Sequence, residues 1–131
     1  MKVKPKKALG QHFLTDMGIA RRIAETALTP PYEGIPLLEI GPGTGVLTQF
    51  LMEQDRDLEV IEIDDESVRY LHAMYPQLTV IEGDFLQRPL EEFFPGQEFA
   101  LIGNYPYNIS SQIFFRVLEA KDRIPLVSGM L

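Results

Sequence analysis

The residues with the clearest chemical potential are Asn104, Tyr105, Pro106 and Tyr107, which follow a short apolar run. The side-chain oxygen of Asn104 and the main-chain carbonyl of Tyr105 can accept hydrogen bonds from an amino group on a planar base. The exocyclic nitrogen of adenine is a poor nucleophile because its lone pair is delocalised into the ring, and two such acceptors favour its pyramidal, reactive form. Pro106 stiffens the turn, and Tyr107 can stack on the base and hold it for attack. The pattern predicts a catalytic role for all four residues, and the alternative is a structural Tyr-Pro turn.

A glycine-rich loop, Gly41-Pro42-Gly43-Thr44-Gly45, follows an earlier apolar run and precedes a helical pattern. Glycines allow the main chain to turn tightly and to approach a ligand closely. A loop between a strand and a helix is also where a doubly wound sheet binds its ligand. The G-x-G-x-G spacing differs from the G-x-G-x-x-G of dinucleotide sites and lacks the Gly-Lys-Ser/Thr ending of a phosphate-binding loop. Gly41 and Gly43 are therefore candidate ligand contacts, with an ordinary tight turn as the alternative.

An acid, Glu62, lies 21 residues after Gly41, at the end of the second apolar run. An acid at this place in a doubly wound sheet accepts hydrogen bonds from ribose hydroxyls. The acidic stretch from Glu62 to Glu66 would repel a phosphate-rich cofactor, so a nucleoside that carries a cationic sulfonium fits best. The alternative is interaction with a helix dipole, which explains Asp65 and Glu66 but explains Glu62 poorly.

A third candidate segment is Gly83-Asp84-Phe85, after the next apolar run. Asp84 can accept a hydrogen bond from an adenine amino group, and Phe85 can pack nearby or present its backbone N–H. A simple turn is the alternative. Asp84 is therefore a candidate contact for the base, in addition to Glu62 as the candidate contact for the ribose.

Helical and strand patterns alternate along the chain and position these segments. Apolar residues at helical spacing predict helices, and Asp16, Asp65 and Ser110 are the expected N-caps. Short apolar runs predict strands that are buried on both faces. The predicted elements are helices over 17–28, 46–51, 66–74 and 111–118 and strands over 37–40, 58–63, 78–81, 99–102 and from 125. This order predicts an α/β fold, a Rossmann-like parallel sheet with helices on both faces.

The composition excludes several classes of protein. With 131 residues, of which 45% are apolar and 24% charged, the chain fits one domain with its own core. The lack of cysteine excludes a disulfide scaffold and a thiolate metal site, and two histidines make a histidine-rich metal site a poor prospect, so no metal is expected. No apolar run approaches the roughly 20 residues that span a bilayer, and no signal peptide is recognisable. These features predict a cytoplasmic protein that does not bind a membrane.

The net charge of −7 is unevenly distributed. A basic arm at the start of the chain contains Lys2, Lys4, Lys6 and Lys7. Residues 8–131 hold the other 8 basic side chains and all 19 acids. The arm could contact phosphate, but the acidic body would repel it. A solvated tail on an acidic domain is the alternative.

Five ordered motifs resemble those of the KsgA-type small-subunit rRNA adenine dimethyltransferases, over a stretch from about Lys6 to the last residue. They are Leu9-Gly10-Gln11-His12-Phe13-Leu14, Glu39-Ile40-Gly41-Pro42-Gly43-Thr44-Gly45, Glu62-Ile63-Asp64, Gly83-Asp84 and Gly103-Asn104-Tyr105-Pro106-Tyr107-Asn108-Ile109-Ser110. The first two look more like the housekeeping enzymes than the antibiotic-resistance enzymes that act on large-subunit rRNA. The resemblance implies the core fold of a class I S-adenosylmethionine-dependent methyltransferase.

The resemblance also implies where S-adenosylmethionine, the cofactor, would bind. Residues 1–15 would form the basic arm and a cofactor-contacting segment. Gln11, His12 and Leu14 would lie beside the cofactor, and Phe13 would lie near the target base.

The remaining site residues follow from the other motifs of the resemblance. Gly41 and its loop would face the methionine part of the cofactor, and Glu62 would hold the ribose. Asp84 would read the adenine amino group, and Ile63 could pack on the adenine ring. Asn104 would bind the substrate amine and border the cofactor.

The activity that the resemblance implies is dimethylation of N6 of two adjacent adenines near the 3′ end of 16S rRNA, in the small ribosomal subunit. A large-subunit rRNA dimethyltransferase and a non-catalytic ribosome-assembly module stay open as alternatives, whereas the acidic loop and the Asn104 motif oppose a nicotinamide-dependent oxidoreductase. Family members continue with further strands and a helical C-terminal domain. Residues 1–131 are therefore expected to be the N-terminal part of the methyltransferase domain, truncated after strand five and inactive alone, with no expectation for the oligomeric state.

Overall fold

The fold is a parallel sheet of five strands in the order β3-β2-β1-β4-β5. It comes from a computed structural model, which describes residues 16–105 and 108–130. The α-helices are α1 (Met17–Glu25), α2 (Thr48–Leu51), α3 (Asp65–Met74) and α4 (Ser110–Glu119). The strands are β1 (Leu37–Ile40), β2 (Leu58–Glu62), β3 (Thr79–Glu82), β4 (Ala100–Asn104) and β5 (Leu126–Met130). The predicted α/β architecture is confirmed.

The centre of the sheet is β1, which pairs with β2 on one side and with β4 on the other. Ile40 is in register with Ile61 of β2 and with Gly103 of β4. The strand order reverses between β1 and β4, and a sheet of this kind binds its ligand outside the carboxyl ends of the strands at such a reversal. The residues after Ile40 and at the end of β4 therefore occupy the expected binding position.

The core lies on both faces of the sheet, because successive strand residues point to opposite faces. Leu37 packs in a cluster with α1 and α2, whereas Leu38 packs in a cluster with α4 and with the phenylalanines of the segment before β4. All four residues of β1 are buried. Burial on both faces explains why this strand reads as a nearly continuous apolar run.

Element bounds differ from the sequence prediction at several ends. Asp16 caps α1 as expected, with its carboxylate accepting from the N–H groups of Gly18 and Ile19 at 2.8 and 3.2 Å. The cap of α3 is Asp64 rather than Asp65, because its carboxylate accepts from the N–H of Ser67.

The prediction that Ser110 caps α4 is also wrong, since Ser110 is the first residue inside the helix. The helix predicted over 46–51 is shorter, because the glycine loop continues as turns up to Leu47. The second strand ends at Glu62, which leaves Ile63 outside the sheet, and the fourth strand continues through Asn104. None of the helices among residues 16–105 and 108–130 is long and apolar enough to cross a membrane.

Candidate functional site

The glycine loop after β1 has a backbone that only glycine adopts readily. Gly41, Gly43 and Gly45 have φ angles of 67°, 57° and 89°, in the left-handed region. A Cβ at Gly45 would lie 3.1 Å from the ring of Tyr75, so the loop packs tightly against the end of α3. A Cβ at Gly41 would instead lie 3.9 Å from the carbonyl oxygen of Asn104. The loop and the end of β4 thus face each other across a gap that a side chain would fill.

Glu62 fastens the glycine loop to the end of β2. One carboxylate oxygen accepts from the N–H of Gly43 at 2.8 Å, and the other accepts from the N–H of Asp64 at 3.0 Å. The side chain is buried, with 2% of its surface exposed. Burial raises the pKa of Glu62, and the two N–H donors oppose that rise. A carboxylate accepts about four hydrogen bonds, so Glu62 retains capacity for hydroxyl donors of a ligand.

A second buried acid, Glu39, lies on β1 beneath the loop, and sequence reasoning gave it no role. Its carboxylate accepts a hydrogen bond of 2.5 Å from the hydroxyl of Thr48, at the start of α2. Burial raises the pKa of Glu39 to about 8; the Thr48 bond opposes the rise, and the charge of Glu62 adds to it. The signal in the sequence was the acid itself, because Glu39 interrupts an otherwise apolar strand.

The segment after β3 forms a turn with Asp84 at its start. The Asp84 carboxylate accepts from the N–H of Leu86 at 2.9 Å, which leaves its second oxygen for a ligand. The ring of Phe85 is buried in the core, with its centroid 5.8 Å from that of Phe93. Of the two roles predicted for Phe85, only the backbone N–H therefore remains a candidate for contact with a ligand. Ile63, at the neighbouring strand end, is 56% exposed and offers an apolar surface.

Asn104 and Tyr105 end β4 beside the glycine loop, and both are buried. The Tyr105 ring packs in the core, 6.4 Å from the Phe114 centroid, and its hydroxyl donates to the carbonyl of Ser128 in β5. Burial raises the pKa of the Tyr105 hydroxyl, so this group stays protonated. The Tyr105 side chain therefore anchors the strand end, so the main-chain carbonyl, rather than the hydroxyl, is the candidate acceptor for a substrate amine.

Five of the predicted site residues lie outside the described residues. They are Gln11, His12, Leu14, Pro106 and Tyr107, and the same applies to Phe13 and to the basic arm. The other predicted site residues are described, and all of them lie at or just after the carboxyl ends of β1 to β4. They are Gly41, Gly43, Glu62, Ile63, Asp84, Phe85, Asn104 and Tyr105.

The chemistry of this edge fits a cationic nucleoside. Glu62 and Asp84 supply acidic side chains, and Asn104 supplies an amide. Such groups accept hydrogen bonds from ribose hydroxyls and amino groups, and they favour a positive ligand over a phosphate. The gap between Gly41 and Asn104 is a cradle that a Cβ would fill. In the described part of the chain, no group of three or more His, Cys, Asp or Glu is arranged to hold a metal ion.

Comparisons with known proteins identify the relatives of the chain. Residues 2–131 match the family described as ribosomal RNA adenine dimethylase. The chain is 60% identical over 134 residues to ribosomal RNA small subunit methyltransferase A of Porphyromonas gingivalis, which covers 100% of the chain and 51% of that relative. It is 62% identical over 131 residues to the protein of the same name from Parabacteroides distasonis, covering 98% and 48%. The chain spans about half the length of the curated relatives it matches.

Comparison with a solved structure supports the same family fold. The 23S rRNA methyltransferase ErmE superposes with a TM-score of 0.67 and 36% identity, over 80% of this chain and 42% of ErmE. The five-stranded parallel sheet is that of the Rossmann-like S-adenosylmethionine-dependent methyltransferases. By its sequence over nearly its whole length and by its fold, the chain belongs to the ribosomal RNA adenine dimethylase family.

Proposed function

We propose that the protein dimethylates N6 of two adjacent adenines near the 3′ end of 16S rRNA, with S-adenosylmethionine as methyl donor. The observation that carries the proposal is the position of Asn104, buried at the end of β4 and facing Gly41 across the strand-order reversal. A base amine held by Asn104 would therefore lie next to a cofactor that covers the glycine loop. The relatives named small subunit methyltransferase A support the choice of rRNA, and we propose a cytoplasmic location for the protein.

The described residues proposed to bind the cofactor lie at or just after the ends of the strands. Gly41 and Gly43 would border the methionine part, and Glu62 would accept from the ribose hydroxyls. Asp84 would accept from the adenine amine. The other proposed contacts are Ile63 on the adenine ring, the N–H of Phe85, and Gln11, His12 and Leu14 from the N-terminal segment.

Bound S-adenosylmethionine would supply a methyl group on a sulfonium; in-line attack by the amine nitrogen would form the N–CH3 bond, break the S–CH3 bond and release S-adenosylhomocysteine. The side-chain oxygen of Asn104 and the carbonyl of Tyr105 accept from the adenine amine and concentrate its lone pair on the nitrogen. Pro106 would stiffen the turn, and Tyr107 would stack on the base. The alkylated nitrogen is acidic and releases its proton to water, so no side chain is required as a general base. The contribution of these residues is positioning and electrostatics.

Methyl transfer is best tested in a chimera, in which residues 1–131 replace the matching half of the Porphyromonas gingivalis relative. We expect it to transfer labelled methyl groups to undermethylated small ribosomal subunits and not to large subunits. Methylation of large subunits alone would favour the alternative of a large-subunit rRNA dimethyltransferase. Cofactor binding without any methylation would favour an assembly module.

Asn104→Ala in that chimera tests the catalytic assignment. Because the amide meets the amine as it pyramidalises, its interaction strengthens toward the transition state. We expect turnover to fall by a factor of about 100, the scale for loss of one transition-state hydrogen bond, with a smaller change in cofactor affinity. Gln112→Ala, an exposed residue of α4, is the matched control. Near-normal dimethylation by the Asn104 variant would remove Asn104 from the mechanism.

A further inference from the structure

Arg116 lies on α4 and joins this helix to the segment after β3. Its guanidinium donates through Nη1 to the carbonyl of Phe85 and through Nη2 to the carbonyl of Arg88. The guanidinium carbon also lies 5.1 Å from the centroid of the Phe85 ring, at cation–π distance. One side chain therefore fixes the main chain at two points and the aromatic ring between them.

The charge of Arg116 also acts on Asp84. Burial lowers the pKa of the Arg116 guanidinium, and the negative charge of Asp84 opposes that shift. The two groups are thus close enough to interact. This interaction adds to the two carbonyl contacts that fix the turn beginning at Asp84.

The contact between Arg116 and the Asp84 turn joins segments that follow non-adjacent strands of the sheet. The Asp84 turn follows β3, whereas α4 follows β4, and two strands, β2 and β1, lie between β3 and β4 in the sheet. Arg116 therefore connects the segment proposed to read the cofactor adenine with the helix that begins six residues after Asn104.

We propose that Arg116 is a positioning residue for adenine recognition. It holds the carbonyls of Phe85 and Arg88 so that the Asp84 carboxylate and the Phe85 N–H keep the geometry in which they meet the base. The inference rests on the proposed function, because it takes the cofactor to be an adenine nucleoside.

A matched control is present in the same region. Arg123 also donates to main-chain carbonyls, those of Gln97 at 2.7 Å and Phe93 at 3.1 Å, and its guanidinium carbon lies 5.6 Å from the Phe99 ring centroid. It thus makes the same kinds of contact, but to a segment that carries none of the proposed site residues. Loss of either arginine removes comparable packing, and only Arg116 contacts the Asp84 turn.

The experiment is calorimetry on the 131-residue chain with two probes. S-adenosylhomocysteine carries the adenine amine, and S-inosylhomocysteine has a carbonyl in its place. We expect Arg116→Met to weaken S-adenosylhomocysteine binding about ten-fold, or about 1.4 kcal/mol. It should change S-inosylhomocysteine binding less than two-fold, because Asp84 has no amine to accept from. Arg123→Met should leave both affinities within two-fold of the unmodified chain.

A milder variant keeps the test valid if Arg116→Met does not fold. Arg116→Lys retains the charge but cannot donate to both carbonyls in a fixed fork, so its loss of S-adenosylhomocysteine affinity should be intermediate. Equal affinity of the Arg116→Lys and unmodified chains, or equal losses for both probes, would overturn the inference and leave the proposed function intact. Failure of the unmodified chain to bind S-adenosylhomocysteine would contradict the proposed function itself.

Discussion

At the scale of single residues, the site combines two buried acids that differ in their hydrogen bonds. Glu62 accepts from two backbone N–H groups, whereas Glu39 accepts from one hydroxyl and is the more deeply desolvated. Both carboxyls have raised pKa values, and burial is the main cause in each. Their separate tasks follow from these contacts, since Glu62 holds the loop and Glu39 holds the start of α2.

We predict that Glu62→Ala weakens cofactor binding by the 131-residue chain ten-fold or more. The substitution removes a charge-assisted acceptor for the ribose, worth about 1.5–3 kcal/mol, and releases the N–H of Gly43. Calorimetry with S-adenosylhomocysteine measures the effect. Glu66→Ala, an exposed acid in the first turn of α3, is the control for lost charge. Unchanged affinity in the Glu62 variant would remove Glu62 from the site.

We predict that Glu39 makes stability fall as the pH rises. Its pKa is about 8 in the folded chain and near 4.5 when unfolded, so the folded state holds the proton more tightly. The contribution is fully present below pH 4.5 and is lost as pH rises through about 8, with a slope of up to about 1.4 kcal/mol per unit.

Glu39→Gln tests this pH dependence, because the amide oxygen keeps the acceptor for Thr48 without a titrating proton. Urea denaturation between pH 5 and pH 9 should give a flatter profile of unfolding free energy for this variant than for the unmodified chain. Glu53→Gln, on an exposed side chain, is the control and should not flatten the profile. Parallel profiles for Glu39→Gln and the unmodified chain would contradict the assignment.

The sequence predicted site residues that stand at strand ends. It gave no role to residues that act through contacts with parts of the chain far away in sequence. Glu62, Asp84 and Asn104 stand at strand ends, which an alternating pattern locates to within two residues. The partners of Arg116 are separated from it by 31 and 28 residues, and no periodicity encodes such a pairing. The burial of the Phe85 ring was also not predictable, because its partner Phe93 lies in an irregular segment.

At the scale of elements, the weakest predictions concerned helix ends. Asp, Ser and Thr are favoured at helix caps, and several such residues stand near the starts of α3 and α4, among them Asp64, Asp65 and Ser110. Which one caps depends on where the strand before it ends. The second strand ends at Glu62, whose carboxylate accepts from the N–H of Asp64, and Asp64 is the residue that caps α3.

The pairing of β4 with β5 depends on a glycine. Gly129 has a φ of 124° and is in register with Gly103, and a Cβ at Gly129 would overlap the Gly103 backbone. We predict that Gly129→Ala lowers the unfolding free energy by at least about 1–3 kcal/mol, the scale for a strained backbone conformation.

Urea denaturation measures the loss, with Gly34→Ala as the control. A Cβ at Gly34 would meet nothing within 4 Å, so that variant should be neutral or slightly stabilising. Because Tyr105 bonds to the neighbouring Ser128, the Gly129 variant should also disturb the end of β4. Equal stability of the two variants would show that β5 contributes little to the fold.

At the scale of the whole molecule, charge opposes the proposed substrate. The chain carries a net charge of −7, and phosphate binding depends on basic side chains. We predict that the 131-residue chain binds S-adenosylhomocysteine but does not methylate small ribosomal subunits, whereas the chimera does both. Labelled methyl transfer to the same particles compares them. Comparable methylation by a monodisperse 131-residue chain would show that residues 1–131 suffice to recognise the RNA.

The reversal of strand order between β1 and β4 has a consequence for how such proteins diversify. Everything proposed to bind the cofactor within the described residues, apart from Asn104, is encoded before residue 86, whereas the residues proposed to bind the amine end β4 or follow it. The two groups meet in space only where Gly41 faces Asn104. Substitutions or recombination after the codon for residue 86 can therefore alter which nucleotide is modified without changing most of the proposed cofactor site. A new target specificity then needs no new cofactor site.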